Sequence, residues 1–222
     1  LTGLNAGSYT DFRFTYSFGC NSGIYNGPIA LTDPSSQPAP SGLTAVPNPS
    51  CVGSAVALTV TNNPSASYTW SASSQNAGLV ASNTNQTSML ATVAGSYVVS
   101  VTQTVSGCTS PAAFITVVVE PIPNTPSAND FSFNNPTCGG SNGSILLSGL
   151  SANATYTIEY SRNGFAVSAS LTSNGSGVVT INGLSQGTYS DFRVISATGC
   201  ASGVYTGQVI LSDPGLPLAP TG

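Results

Sequence analysis

A repeat constrains this chain more than any other feature. Gly3 to Gly42 recurs without a gap at Gly183 to Gly222, an offset of 180 residues at which about half of the positions are identical. Self-similarity at a long fixed spacing marks an array of structural units. The shared residues include Tyr9, Asp11-Phe12-Arg13, Gly19-Cys20, Tyr25, Asp33-Pro34 and Ala39-Pro40. The expectation is a 180-residue period, with residues 1–40 forming the C-terminal half of a module whose front half precedes Leu1. The opening "LTGLNAGSYT" has no initiator Met and no charged leader, so the chain reads as a piece of something longer.

Between the copies lies a second module type. Pro-rich joints, "TDPSSQPAPSG" and "EPIPNTPSAND", bound it, and proline favours extended, stiff connections. The modules are therefore placed at 1–40 (a half module), 41–122 and 123–222. Inside them, short Val/Ile/Leu/Tyr runs alternate with Gly, Asn, Ser and Pro turns. Strands are predicted at 55–61, 67–73, 87–93, 96–104 and 112–120, then at 130–133, 144–150, 155–161, 165–172, 177–181, 188–197 and 208–212. Many short strands with no helical period predict an all-β fold of tandem Ig-like antiparallel sandwiches, two module types alternating. In "SYVVSVT" the residues Tyr97, Val99 and Val101 share one face. In "SYTDFRFTY" Phe12, Phe14 and Tyr16 share the core face, which throws Tyr9 out of register unless a bulge at Thr10 and Asp11 adds a residue.

Composition removes whole function classes. Charged residues make up 5% of the chain, there is no His, and the net charge is -4. Binding to nucleic acid or an anionic membrane needs clustered Lys and Arg, and three scattered arginines supply none. No apolar run approaches the roughly 20 residues that span a bilayer, so no membrane insertion is expected. General acid-base work is reduced to a few isolated carboxylates, and the chain is read as non-enzymatic.

Cys20, Cys51, Cys108, Cys138 and Cys200 fit the repeat. Each full module carries one cysteine near its start (Cys51, Cys138) and one in a Gly-Cys turn near its end (Cys108, Cys200). The intervals Tyr9 to Cys20, Tyr97 to Cys108 and Tyr189 to Cys200 are equal. The predicted bonds are Cys51 to Cys108 and Cys138 to Cys200, with the partner of Cys20 outside the chain. Metal ligation would want His or Cys-x-x-Cys, and a nucleophilic Cys would want a neighbouring base. Structural disulfides imply an oxidising, extracellular compartment.

The remaining candidates are core or contact residues. Trp70, Tyr97, Tyr189 and Phe192 are expected in the cores, with Trp70 as the sandwich tryptophan packed near a disulfide. Asp11 with Arg13, and Asp191 with Arg193, share a strand face and suit exposed ion pairs or contacts with a neighbour. Tyr16, Tyr160 and Tyr205 are the aromatics assigned to a polysaccharide surface. Asn142-Gly143 and Asn163-Gly164 read as turns, and the sequons at Asn85, Asn142, Asn153 and Asn174 as exposed loops. No cofactor and no metal is expected; the carboxylates that come nearest to a calcium site are those at the joints, Asp33, Asp130 and Asp213.

"PTCGGSNGSILLSGL" (Pro136 to Leu150), "YTIEYS" and the closing "GLSQGTYSDFRVISATGC" resemble the SprB-type repeat of gliding-motility adhesins of Bacteroidota. The middle module, with "CVGSAVALTV", "SYTWSAS" and "GSYVVSVTQTVSGC", resembles the PKD-like and Ig-like modules found beside such repeats. Asn142 stands where an Asp is common in that family. The resemblance implies export by type IX secretion and display on the cell surface as a long filament. The function expected is a disulfide-stapled stalk, with partners among neighbouring copies of the same repeat, lateral filament contacts or surface polysaccharide. The alternatives are a polysaccharide-binding module and an accessory domain pair of a secreted hydrolase.

Overall fold

A computed structural model describes residues 3–31 and 37–215. The described chain is built from strands, and its buried apolar residues form two separate cores, each between two sheets.

In the middle module β3 (Thr44–Val46), β5 (Val56–Thr59) and β7 (Gln86–Met89) make one sheet. The facing sheet runs β4 (Ser50–Cys51), β10 (Ala113–Glu120), β8 (Gly95–Val105) and β6 (Ala66–Ala72), with β9 (Cys108–Thr109) folded back on β8. The alternation read from "SYVVSVT" holds: Tyr97, Val99 and Val101 are buried while Val98 is exposed. They meet Val56, Leu58, Met89, Val117 and Trp70. At roughly 1.5–3 kcal/mol for each large apolar side chain fully buried, this core is the main stabilising term.

The last module pairs β11 (Phe131–Asn134), β12 (Gly143–Leu147) and β15 (Val179–Leu184) in one sheet. The other runs β14 (Phe165–Thr172), β13 (Thr155–Arg162), β16 (Gly187–Ser196) and β17 (Val209–Leu211). Asn163 and Gly164, at φ 49° and 85°, close the β13–β14 hairpin with Arg162 opposite Phe165, the left-handed pair that a two-residue turn requires. Asn142-Gly143 is not such a turn. Gly143 opens β12, and the Asn142 side-chain Oδ1 accepts from the Thr137 amide at 2.9 Å to close the preceding loop.

A bulge of the kind expected at Thr10 and Asp11 is present at the equivalent place in the later copy. Opposite β13, Ser190 pairs with Ser161 and Arg193 with Glu159, so β16 carries an extra residue, and Asp191 takes φ 57°. Tyr189 and Phe192, three apart, are thereby both fully buried, which simple alternation would forbid.

Residues 7–31 repeat this hairpin. β1 (Gly7–Tyr9) pairs with β2 (Ile29–Leu31) in the register of β16 with β17. Asp11 takes φ 61°, and Phe12 bridges Tyr25 as Phe192 bridges Tyr205. Its core face, however, is open. Phe14 is 79% exposed where its counterpart Val194 is 0%, and Leu31 is 37% exposed where Leu211 is 1%.

Candidate functional site

The joint between the two cores brings together the Pro-rich linker, a cleft and the disulfide found among the described residues. β10 leaves the middle module at Glu120, beside Cys51 on the parallel strand β4. Asn48 clamps this edge: its amide donates to the Thr116 carbonyl and its carbonyl accepts from the Val118 amide, both at 2.9 Å. The Pro-rich linker then crosses to a 3-10 turn at Ala128–Asp130. There the Asp130 carboxylate accepts from the Ser127 amide and hydroxyl at 2.7 Å and fixes the approach to β11. A cleft at the joint is lined by Pro121, Ile122, Tyr156, Ser196 and Thr198. Gly203 lies so close to Thr125 that a Cβ would stand 2.5 Å from the hydroxyl. Across this joint runs the disulfide Cys51–Cys200, 149 residues apart in sequence.

This pairing corrects the expected one. Cys108 and Cys138 are free thiols, as is Cys20. The reason is the length of the sheets. Cys51 sits beside Glu120, at the end of the sheet where Gly95 opens β8, whereas Cys108 pairs with Val105 at the other end of that same strand. An extended strand of this length separates them by about 30 Å, far beyond the roughly 4.4–6.8 Å between Cα atoms that a disulfide spans. In the last module Cys200 lies in the turn after Ser196, while Cys138 lies in the loop beside Asp213, whose carboxylate accepts from the Gly139 amide. Asp213 follows β17, which pairs with the Gly187 end of β16, so the whole strand again intervenes. In both modules the start cysteine marks the trailing end, where the chain leaves, and the turn cysteine the leading end, where it arrives.

Other expectations fare variously. Trp70 is buried in the middle core, its indole donating to the Thr84 carbonyl at 2.9 Å, but it pairs with Val101 well inside the sheet rather than lying against a disulfide. Tyr97, Tyr189 and Phe192 are buried as expected. Tyr160 is not a contact residue. It is buried between Tyr189 and Phe192, at ring separations of 6.0 and 5.6 Å. Nor is Tyr205 a free surface aromatic, for it stacks on Phe131 at 5.1 Å, half-buried against the core. Tyr160 shares the buried face of β13 with Tyr156 and Ile158, opposite Thr157, Glu159 and Ser161, and Tyr205 follows the Gly-Cys turn and bridges Phe192. Tyr16 is exposed, on the open hairpin.

Asp191 and Arg193 do not pair. The Asp191 carboxylate accepts from the Ser190 hydroxyl at 2.8 Å, and Arg193 reaches Glu159 across the strands at 3.7 Å, the one ion pair among the described residues. The left-handed backbone at Asp191 turns the two side chains apart. Asp11 likewise accepts from Thr10, and no pair with Arg13 forms. Of the three joint aspartates, Asp130 and Asp213 are each taken up by local hydrogen bonds, and Asp33 lies outside the described residues.

Sequence reading missed the hydroxyls of the Gly-x-Tyr motif. Tyr9, Tyr97 and Tyr189 each donate to the carbonyl four residues upstream, on Asn5, Val93 and Ser185, at 2.7, 2.7 and 2.8 Å. The threefold recurrence of the motif was the available signal. Burial raises the phenol pKa of both Tyr160 and Tyr189 above the usual 10.0; for Tyr160 the neighbouring Tyr189 adds to this, and Arg162 pulls both down.

The sheets define a class of architecture: the described chain is an all-β protein of two-sheet sandwiches. No family model and no curated protein matches it. Solved structures are similar to it at low identity. The FN1–FN3 domains of chicken CNTN1 share 15% identity over 90% of this chain and 76% of that one, with a TM-score of 0.44. A C-terminal 282-residue fragment of intimin, solved with the intimin-binding domain of the translocated intimin receptor, shares 17% over 78% and 64%, TM-score 0.48. A segment of two fibronectin type-III domains from chicken tenascin shares 15% over 77% and 98%, TM-score 0.35.

Proposed function

We propose that this chain is part of the stalk of a long extracellular surface filament or adhesin, in which sandwiches of two types alternate with a 180-residue period. The observation that carries this reading is the hairpin at residues 7–31. It has the register of residues 187–211, the left-handed residue at Asp11 and the turn closing on Cys20, yet leaves uncovered the face that β11, β12 and β15 cover in the later copy. A preceding segment like residues 123–184 is the natural cover. The staple across the Pro-rich joint suits a stalk, because it fixes successive modules end to end, and it calls for an oxidising compartment. No helix of the described residues is long and apolar enough to cross a membrane. The finer assignment, a SprB-type gliding or attachment adhesin of Bacteroidota exported by type IX secretion, rests on the motif resemblance at Pro136–Leu150 and in the closing Gly-Cys turn. Its role is mechanical, and its partners are adjoining copies of the repeat.

The test is length. Residues 43–222 joined head to tail in register as one, two and four units should give a maximum dimension, by small-angle scattering, that grows by a constant ~70 Å per unit, two modules of about 35 Å each. A dimension that stops growing, as in a globule, would refute the stalk. Labelling of intact cells with antibody to the unit tests its display at the surface.

A further inference from the structure

We propose that the disulfides of this protein run from the trailing cysteine of each module to the leading cysteine of the next, so that Cys138 is bonded to Cys108 of the following copy and Cys108 to Cys138 of the preceding one. This rests on the array reading above and adds its covalent wiring.

Four observations carry it. The start cysteines Cys51 and Cys138 both lie at trailing ends, beside Glu120 and Asp213. The turn cysteines Cys108 and Cys200 both lie at leading ends, after β8 and β16. One trailing-to-leading bond exists in this structure, Cys51–Cys200. The Gln103 amide donates to the Pro38 carbonyl at 2.8 Å, so the joint before the middle module reaches the end of the sheet where Cys108 sits. The rule then sorts all five cysteines. The bond found is the one whose two modules both fall within residues 1–222. The three free thiols are those whose partner modules do not. Cys20 and Cys108 face upstream, toward counterparts of Cys51 and Cys138; Cys138 faces downstream. Pairing within modules, by contrast, would have closed Cys51 on Cys108 across a sheet some 30 Å long.

Formation needs an oxidant, here a disulfide of a protein or small-molecule carrier. The Cys138 thiolate attacks one carrier sulfur, giving a mixed disulfide and one carrier thiol. The neighbouring Cys108 thiolate then attacks the Cys138 sulfur and releases the second carrier thiol. Two protein thiols and one carrier disulfide become one protein disulfide and two carrier thiols.

The experiment extends the 222-residue chain by a second copy of residues 43–222, which keeps the register. The first copy carries Cys108→Ser and the second Cys138→Ser, so that Cys138 and Cys108 remain only on either side of the new joint. After oxidation with glutathione disulfide, thiols are alkylated and the unreduced protein is digested with pepsin for peptide mass spectrometry. The expected result is a Cys138–Cys108 linked peptide beside Cys51–Cys200, with Cys20 alone alkylated. Alkylation of both thiols while Cys51–Cys200 forms would overturn the wiring. The unextended chain gives a second reading that needs no variant: Cys108 and Cys138 should both be alkylated, and a bond between them, or of Cys51 to Cys108, would overturn the rule. A parent sequence with no copy 180 residues further on would instead defeat the array reading and leave the wiring without a partner to supply.

Discussion

Removing the staple should destabilise both modules and uncouple them. The perturbation is Cys51→Ser with Cys200→Ser. If the last module unfolds while the middle one stays folded, Cys51 remains pinned beside Glu120, and the staple closes a loop of roughly 80 residues. The chain-entropy estimate for that loop is about 4.5 kcal/mol, and unfolding the middle module alone gives nearly the same figure. With both unfolded the loop is the full 149-residue separation, worth about 5 kcal/mol. Once one module has opened, the second therefore opens at almost no further cost from the staple, and the stapled pair should unfold as one. Urea unfolding reads this directly, because Trp70 is the only tryptophan and reports the middle module, while hydrogen exchange in β13 reports the last. Transitions that coincide in the oxidised chain should separate in the variant, each module losing 2–4.5 kcal/mol. A loss below about 1 kcal/mol at Trp70, with the oxidised transitions already separate, would refute the argument.

Tyr189→Phe removes the hydroxyl that donates to Ser185 and leaves that carbonyl with one partner fewer; a loss of about 1–2 kcal/mol by urea unfolding is expected. Asp191 at φ 57° should accept Gly with little change, while Asp191→Val should lose about 1–2 kcal/mol, measured as a fall in midpoint. Tyr160 and Tyr189 hold their protons more tightly folded than unfolded, so stability is full below pH 10 and is lost as pH rises through their raised values. The urea midpoint of the last module should be level to about pH 9.5 and fall beyond 10, less steeply in Tyr160→Phe. Arg193→Ala should change stability by under about 1 kcal/mol, since its pair with Glu159 is 43% exposed on both sides.

The strands were legible because burial is periodic. The predicted runs at 67–73, 96–104, 112–120, 155–161 and 165–172 match β6, β8, β10, β13 and β14 to within a residue at each end. The bulge was legible too, through the first copy, where Tyr9 could join Phe12, Phe14 and Tyr16 on one face only if a residue was added at Thr10 and Asp11. The short strands β3, β4 and β9 were not, because two or three residues carry no period. The disulfide was misread for a different reason. Spacing identifies which cysteines are equivalent, but not the end of the sheet on which each lies. The stretch 73–85 between β6 and β7 runs back along the middle module, so counting strands from Cys51 does not tell where Cys108 ends up. Tyr160 and Tyr205 failed as surface residues because their partners, Phe131 and Phe192, arrive from distant segments.

At Glu120 the peptide linker and the Cys51 sulfur leave the middle module on adjacent strands, about 5 Å apart. A joint held by one backbone alone is a swivel, free to spin about that backbone. Two attachments side by side abolish the spin and leave only a flap about the line between them. The joint thus carries torque as well as tension, and a twist applied at one module is delivered to the next.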